Sequence, residues 1–148
     1  MQKAGQATPE GAFQPDADTR ILRAKLILEE ALETVEALGV NVRVSDGGRS
    51  DGKAGVALVE EALSYTADGE WDLEMVVDGC ADISVVTIGT LIAIGVDDEP
   101  ILEEVDAANL RKFGDGGYRR EDGKWMKPPD WTAPDIMGAV DRGYGRAE

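Results

Sequence analysis

The chain has 148 residues, 43% of them hydrophobic, with 30 acidic side chains against 15 basic ones and a net charge of −15. That length suits one domain with a single core, the hydrophobic share argues against disorder, and the acidity makes nucleic acid and anionic membrane poor partners. With no histidine and one cysteine, Ser-His-Asp and Cys-His catalysis, the usual zinc sites and an internal disulfide are excluded.

Residues 1–17 are punctuated by Pro and Gly and read as an extended arm. They lack the apolar core of a signal peptide, so a cytoplasmic location is expected. Residues 19–38 are helical in pattern, with Asp16 or Asp18 as N-cap and Gly39 as the C-terminal stop. Ile21, Ala24, Leu28, Ala31, Leu32 and Val35 form one apolar stripe. Glu29, Glu33 and Glu36 fall opposite it, with Glu30 beside them. Leu22 and Leu26 share that acidic sector, so the acids are expected to face a second packed element and not bulk water.

Residues 40–55 read as a loop holding a short strand at 42–44. Residues 56–67 are ambiguous between helix and strand, and the helix is preferred. A central helix follows over 71–95, apolar nearly all round, with no charge between Asp82 and Asp97. Such a helix belongs in a core, Cys80 is expected as a buried thiol, and the apolar stretch 83–96 is too short and too hydroxylated to span a bilayer. Enclosing this helix takes more surface than three modest neighbours offer, so a homodimer or homotetramer is expected. Asp97 or Asp98 caps a further helix to about Phe113, on which Asn109 and Lys112 share one sector. The tail from Gly114 is rich in Gly and Pro. Within it, Asp122-Gly123 signals a type I′ hairpin.

Glu29 and Glu33 lie one turn apart, as do Glu30 and Glu33, and Asp78 and Asp82 repeat that spacing on the central helix with Glu74 a turn further back. An ionised carboxylate in apolar surroundings costs several kcal/mol, on the order of 5 or more, unless a cation or donors compensate it. Asp78 and Asp82 therefore need a partner. Two acidic helix faces brought together make an all-oxygen site suited to Mg²⁺, with Mn²⁺ as substitute. The chemistry that fits is hydrolysis within a nucleotide's phosphate chain, a glutamate taking the proton of the attacking water.

Three blocks of sequence resemble the MazG-like all-α nucleoside triphosphate pyrophosphohydrolases, in the short phage and bacterial branch related to phosphoribosyl-ATP pyrophosphohydrolase. They are LRAKLILEEALETVEALG at 22–39, DGCADISVVTIGTLIAIGVD at 78–97, and EVDAANLRKFGDGGYRREDGKWMKPPDW at 104–131. The resemblance implies an all-α, four-helix bundle, a single domain over 1–148, and an oligomeric enzyme that cleaves a (deoxy)nucleoside triphosphate to monophosphate and pyrophosphate. It also implies Mg²⁺ held by Glu30, Glu33 and Asp82, with Glu29 a further ligand or the base, so that Glu29 and Glu33 are the catalytic candidates. The family pairs its first acidic motif with Glu-x-x-Asp, and here Gly79 stands three residues before Asp82. Asp78 is the stand-in ligand, with Glu74 behind it. Asn109 and Lys112 would meet the nucleotide, Lys112 at its phosphates, and Lys124 and Lys127 of the basic tail join them as substrate-binding candidates. Trp125, Trp131 and Tyr118 are candidates for stacking on a base. Members of this branch act on (d)GTP, dUTP or dCTP, and (d)GTP is the expectation carried forward. The alternatives are phosphoribosyl-ATP as substrate, against which the added loop over 40–70 and the long tail argue, or a non-catalytic acidic helical dimer binding metal or a partner.

Overall fold

The computed structural model describes residues 11–44, 62–121 and 123–144. The chain divides into two compact units, residues 16–87 and residues 1–15 with 88–148. Among the described residues there are four helices and two pairs of short strands, the predominantly helical architecture expected.

In the first unit, α1 spans Ala17–Ala37, opened by Asp16 as N-cap. The Asp16 carboxylate accepts the Thr19 N–H at 2.7 Å, and that bond holds its pKa below the usual carboxylate value. The helix ends at Leu38, and Gly39 turns the chain with φ at +72°. Any Cβ at Gly39 would lie 2.7 Å from the Gly69 carbonyl oxygen, so both backbone conformation and space call for glycine there.

The turn leads into β1 (Asn41–Val44), which pairs antiparallel with β2 (Leu63–Thr66), Asn41 opposite Thr66 and Val44 opposite Leu63. Asp68 closes the pair, its Oδ1 accepting from Asn41 Nδ2 at 2.7 Å and Thr66 Oγ1 at 3.1 Å. The preferred helix over 56–67 is corrected wherever the chain is described. Tyr65 and Thr66 favour extended backbone, and the ladder to β1 satisfies main-chain groups that a lone helical turn leaves open. Residues 56–61 lie outside the described residues.

Helix α2 spans Leu73–Ala93, and Asp72 Oδ1 accepts the Met75 N–H at 3.2 Å in its first turn. The expectation that this helix is enclosed is not met within one chain. Leu73, Met75, Val77 and Val85 are exposed, as are Ile21, Leu28 and Leu32 on the predicted stripe of α1. Cys80 is exposed too, which corrects its reading as a buried thiol. The other described elements leave these two apolar faces uncovered.

In the second unit, α3 spans Asp98–Arg111 with Asp97 as its N-cap. β3 (Tyr118–Arg119) and β4 (Trp125–Met126) form the expected hairpin. Its turn differs from the two-residue type I′ form: the Arg120 N–H donates to Lys124 O at 2.8 Å and the Gly123 N–H to Arg120 O at 2.9 Å. The loop is thus three residues long, with Gly123 at φ +87°, a common hairpin alternative.

A helix not anticipated in the tail, α4 (Ile136–Tyr144), packs on α3. Asp135 caps it by accepting the Gly138 N–H at 3.0 Å. The small core of this unit holds Ala93, Val96, Pro100, Ala108 and Ala139. Glu104 secures α4 from α3, accepting the Asp135 N–H and Arg142 Nη2, each at 3.1 Å, with Arg111 Nη2 at 3.5 Å.

Candidate functional site

Helices α1 and α2 come into close contact at Thr34 and Gly79. Thr34 is buried at 6% exposure, and its hydroxyl is tied back to Glu30 O at 2.7 Å. A Cβ built on Gly79 would collide with Thr34 Oγ1 and stand only 3.1 Å from its Cβ and 3.3 Å from its Cα. Glycine at 79 therefore lets the acidic face of α1 come down on α2. It also explains why the residue three before Asp82 carries no carboxylate: a glutamate at 79 has no room in this packing.

The contact gathers the acids. The Glu30 carboxyl has its pKa raised, first by loss of hydration, then by the negative charges of Asp82, Glu33, Glu29 and Asp78 in that order. The other four carboxylates predicted from spacing thus lie near enough to Glu30 to act on it. Glu74, in the first turn of α2, is not among the principal influences on Glu30.

The burial expected of the aspartates is corrected. Asp78 is exposed and Asp82 half-buried, with Glu29 and Glu33 exposed and Glu30 half-buried. Their apolar neighbours on α2 are themselves uncovered in one chain, so apolar sequence context did not translate into burial.

Among the described residues, no three acidic or cysteine side chains are arranged as a ready ligand set for a metal ion. The donor chemistry nevertheless fits a hard dication: oxygen ligands only, and one carboxyl made less acidic by loss of hydration and then by the like charges around it. Beside the cluster is a cavity of about 380 Å³ lined by Glu33, Glu36, Ala37, Asp72 and Met75.

The C-terminal unit brings two of the four predicted substrate-binding residues, Lys112 and Lys127, to one indole. Lys112 is the C-cap of α3, and its Nζ donates to Asn109 Oδ1 at 2.6 Å. That ammonium lies 5.9 Å from the centre of the Trp131 ring, and Lys127 Nζ lies 3.5 Å from it. Trp131 is fixed from behind, its Nε1 donating to Ala108 O at 2.8 Å. Trp125 donates to Lys112 O at 2.5 Å and packs on Phe113 at 5.1 Å, which makes it part of the scaffold holding the end of α3. Lys124 is on the exposed hairpin. Sequence reading passed over Arg111, which lines a cavity of about 320 Å³ with Trp131. Arg111 lies between Asn109 and Lys112, at a position their spacing leaves unspecified, so spacing did not single it out.

A helical chain that concentrates carboxylates where two long helices meet has the makings, as a class, of an all-α pyrophosphohydrolase. The chain belongs to the phosphoribosyl-ATP pyrophosphohydrolase family, whose model matches residues 1–109, and with it to the MazG-like all-α superfamily that the sequence resembles. The match takes in every carboxylate of the cluster and Asn109, and it ends before Lys112, the hairpin and Trp131. Comparison with curated proteins finds no match. Family membership indicates a pyrophosphohydrolase enzyme.

Proposed function

We propose that the protein hydrolyses a (deoxy)nucleoside triphosphate, (d)GTP first among them, to the monophosphate and pyrophosphate in a Mg²⁺-dependent reaction, and so controls a nucleotide pool. The observation that supports this most is Glu30, a carboxyl with raised pKa surrounded by four other carboxylates from two helices. Such a cluster is held at a cost until a cation relieves it. Glu29, Glu30, Glu33, Asp78 and Asp82 would hold the ion, and Mn²⁺ could replace Mg²⁺. When bound, the ion supplies neutralisation of the phosphate chain and acidifies the attacking water.

The chain's own residues do the rest. Glu33 or Glu29 takes the proton from water as its oxygen bonds to the α-phosphorus; the bond from that phosphorus to the bridging oxygen breaks, and pyrophosphate leaves. The cavity beside Glu33 gives the substrate room next to the base. Asn109, Lys112, Lys124 and Lys127 are the proposed substrate-binding residues of the C-terminal unit.

The uncovered faces of α1 and α2 support a homodimer or homotetramer. Helix α2 is long and apolar enough to cross a membrane, at a hydropathy of 1.7. Asp82, near its middle, would cost roughly 2.5–3.5 kcal/mol there, and Asp78 adds to that, so a cytoplasmic enzyme is the proposal.

The family description favours one rival substrate, phosphoribosyl-ATP. The test is to incubate the protein with Mg²⁺ and each common (d)NTP or phosphoribosyl-ATP separately and resolve products by anion exchange, with Glu33→Gln as control. Monophosphate and pyrophosphate from a triphosphate are expected. Turnover of phosphoribosyl-ATP alone would overturn the triphosphate reading.

A further inference from the structure

Helix α3 ends in a turn wound more tightly than the helix before it. The Lys112 N–H donates three residues back, to Asn109 O at 3.1 Å, and the Phe113 and Gly114 N–H groups repeat that step to Leu110 O at 3.0 Å and Arg111 O at 3.3 Å. Bonds of that span are those of a 3₁₀ turn, in which side chains three residues apart eclipse each other. Asn109 and Lys112 are three apart, and Lys112 Nζ donates to Asn109 Oδ1 at 2.6 Å. Two further carbonyls at this end are met from outside the helix: Ala108 O, which the Lys112 N–H would reach in a continued α-helix, and Lys112 O. Trp131 Nε1 donates to Ala108 O at 2.8 Å and Trp125 Nε1 to Lys112 O at 2.5 Å. Ala108 is buried, so its carbonyl is costly to leave without a donor. Phe113 steadies the Trp125 ring, and Gly117 leaves room for the bond, since a Cβ there would stand 2.6 Å from Lys112 O and 3.0 Å from Trp125 Nε1.

We propose that Trp125 and Trp131 are positioning residues for the substrate's phosphate chain and act through Lys112. By occupying Ala108 O and Lys112 O, the two indole N–H groups hold the last turn of α3 in its tight form and so present Asn109 and Lys112 as one pair. The proposal rests on the reading of Lys112 as a phosphate-binding residue and adds what sets its direction. With Ala108 O open, the Lys112 N–H could return to it, and an α-helical turn would carry Lys112 about 60° around the axis from Asn109. The Trp131 bond takes that acceptor away. Trp131 also meets the charge itself, for the Lys112 ammonium lies 5.9 Å from its ring centre, where a π face favours a cation. Lys127 Nζ stands 3.5 Å from the same centre, so the ring serves cations here. An ammonium has three donors, and Asn109 takes one, which orders Lys112 without neutralising it. A side chain already ordered loses less freedom when a phosphate oxygen binds to it, and that preorganisation favours affinity. The family match ends at Asn109, and both tryptophans lie beyond it.

The experiment is a double-mutant cycle in steady-state kinetics on the full chain, run with Mg²⁺ and with dGTP and phosphoribosyl-ATP separately, each of which presents a triphosphate chain. Trp131→Phe and Trp125→Phe keep an aromatic ring and lose the N–H. Each is expected to raise KM about tenfold while kcat stays within about twofold. Lys112→Met should raise KM at least as much, and in its background neither substitution should raise KM by more than about a further twofold. Gly117→Ala crowds Lys112 O with both indoles in place and should raise KM in the same way, so the test does not depend on the folding of a tryptophan variant. A role in stability alone would lower the melting temperature and leave KM unchanged, or would multiply KM equally with and without Lys112. Either result would overturn the proposal, as would an unaltered KM in Lys112→Met. The two readings fail separately. Turnover of phosphoribosyl-ATP alone would strike the proposed triphosphate substrate, with the cycle still read on that compound, and a cycle without coupling would strike the positioning role alone.

Discussion

Glu30 on α1 and Glu104 on α3 are the same side chain in opposite company. Glu104 accepts from a main-chain N–H and two arginines, and those donors, the Asp135 N–H first, hold its pKa below the usual value. Glu30 is surrounded by four carboxylates and has its pKa pushed up. Stability alone would select the first arrangement and remove the second. The difference separates an acid that is part of the frame from one that is not: Glu104 fastens α4 to α3, and under the proposed function Glu30 would hold charge in place for a cation.

The comparison breaks most visibly in turnover. Glu33→Gln and Asp82→Asn are each expected to cut the pyrophosphohydrolase rate by roughly 10²–10⁴-fold with unchanged melting. Glu104→Ala should do the reverse, lowering the melting temperature and loosening α4, as read by amide exchange over residues 136–144. Steady-state kinetics and melting on the three variants check both directions.

A saturating divalent cation should stabilise the first unit and leave the second alone. At a hundredfold excess over its dissociation constant the gain is about 2.7 kcal/mol, seen as a rise in melting temperature that Glu30→Gln abolishes. Gly79→Ala sharpens the same point sterically. It drives a methyl into Thr34 and should cost roughly 1–3 kcal/mol, partly recovered by adding Thr34→Ala.

The smallest expected effect is in pH. The folded-state pKa of Glu104 is depressed, so its contribution is present above the ordinary carboxylate pKa and is lost as pH falls through the lower folded value. For Glu30 the folded-state pKa is raised, so its penalty is complete at neutral pH and is relieved as pH falls through that raised value. Without divalent metal, acid titration should weaken the α3–α4 contact while easing the α1–α2 contact. Residue-resolved amide exchange from pH 7 to pH 3 checks the two slopes.

The parts of this molecule legible in sequence were those fixed by local chemistry. Asp16, Gly39 and Asp97 mark helix ends because caps and left-handed turns need those residue types, and the spacing of Glu29, Glu30, Glu33, Asp78 and Asp82 put five acids on two faces that do meet. What was hidden depended on partners far along the chain. Residues 63–66 are extended because residues 41–44 lie beside them. Helix α4 was obscured by Gly138 and Gly143, and it is secured by Glu104 from α3. The close approach at Gly79 was invisible because its cause, Thr34, lies on another helix. Burial was misread for Asp78 and Cys80 because an apolar sequence demands cover without saying that one chain provides it.

The central claim is that the cluster around Glu30 exists to bind a divalent cation, and carboxyl-detected NMR of Glu30 tests it most directly. A pH titration without metal should give a pKa above the ordinary glutamate value, and saturating Mg²⁺ should bring it below that value. A raised pKa that Mg²⁺ leaves unchanged would contradict the account, for the charge held at the meeting of α1 and α2 would then serve no cation.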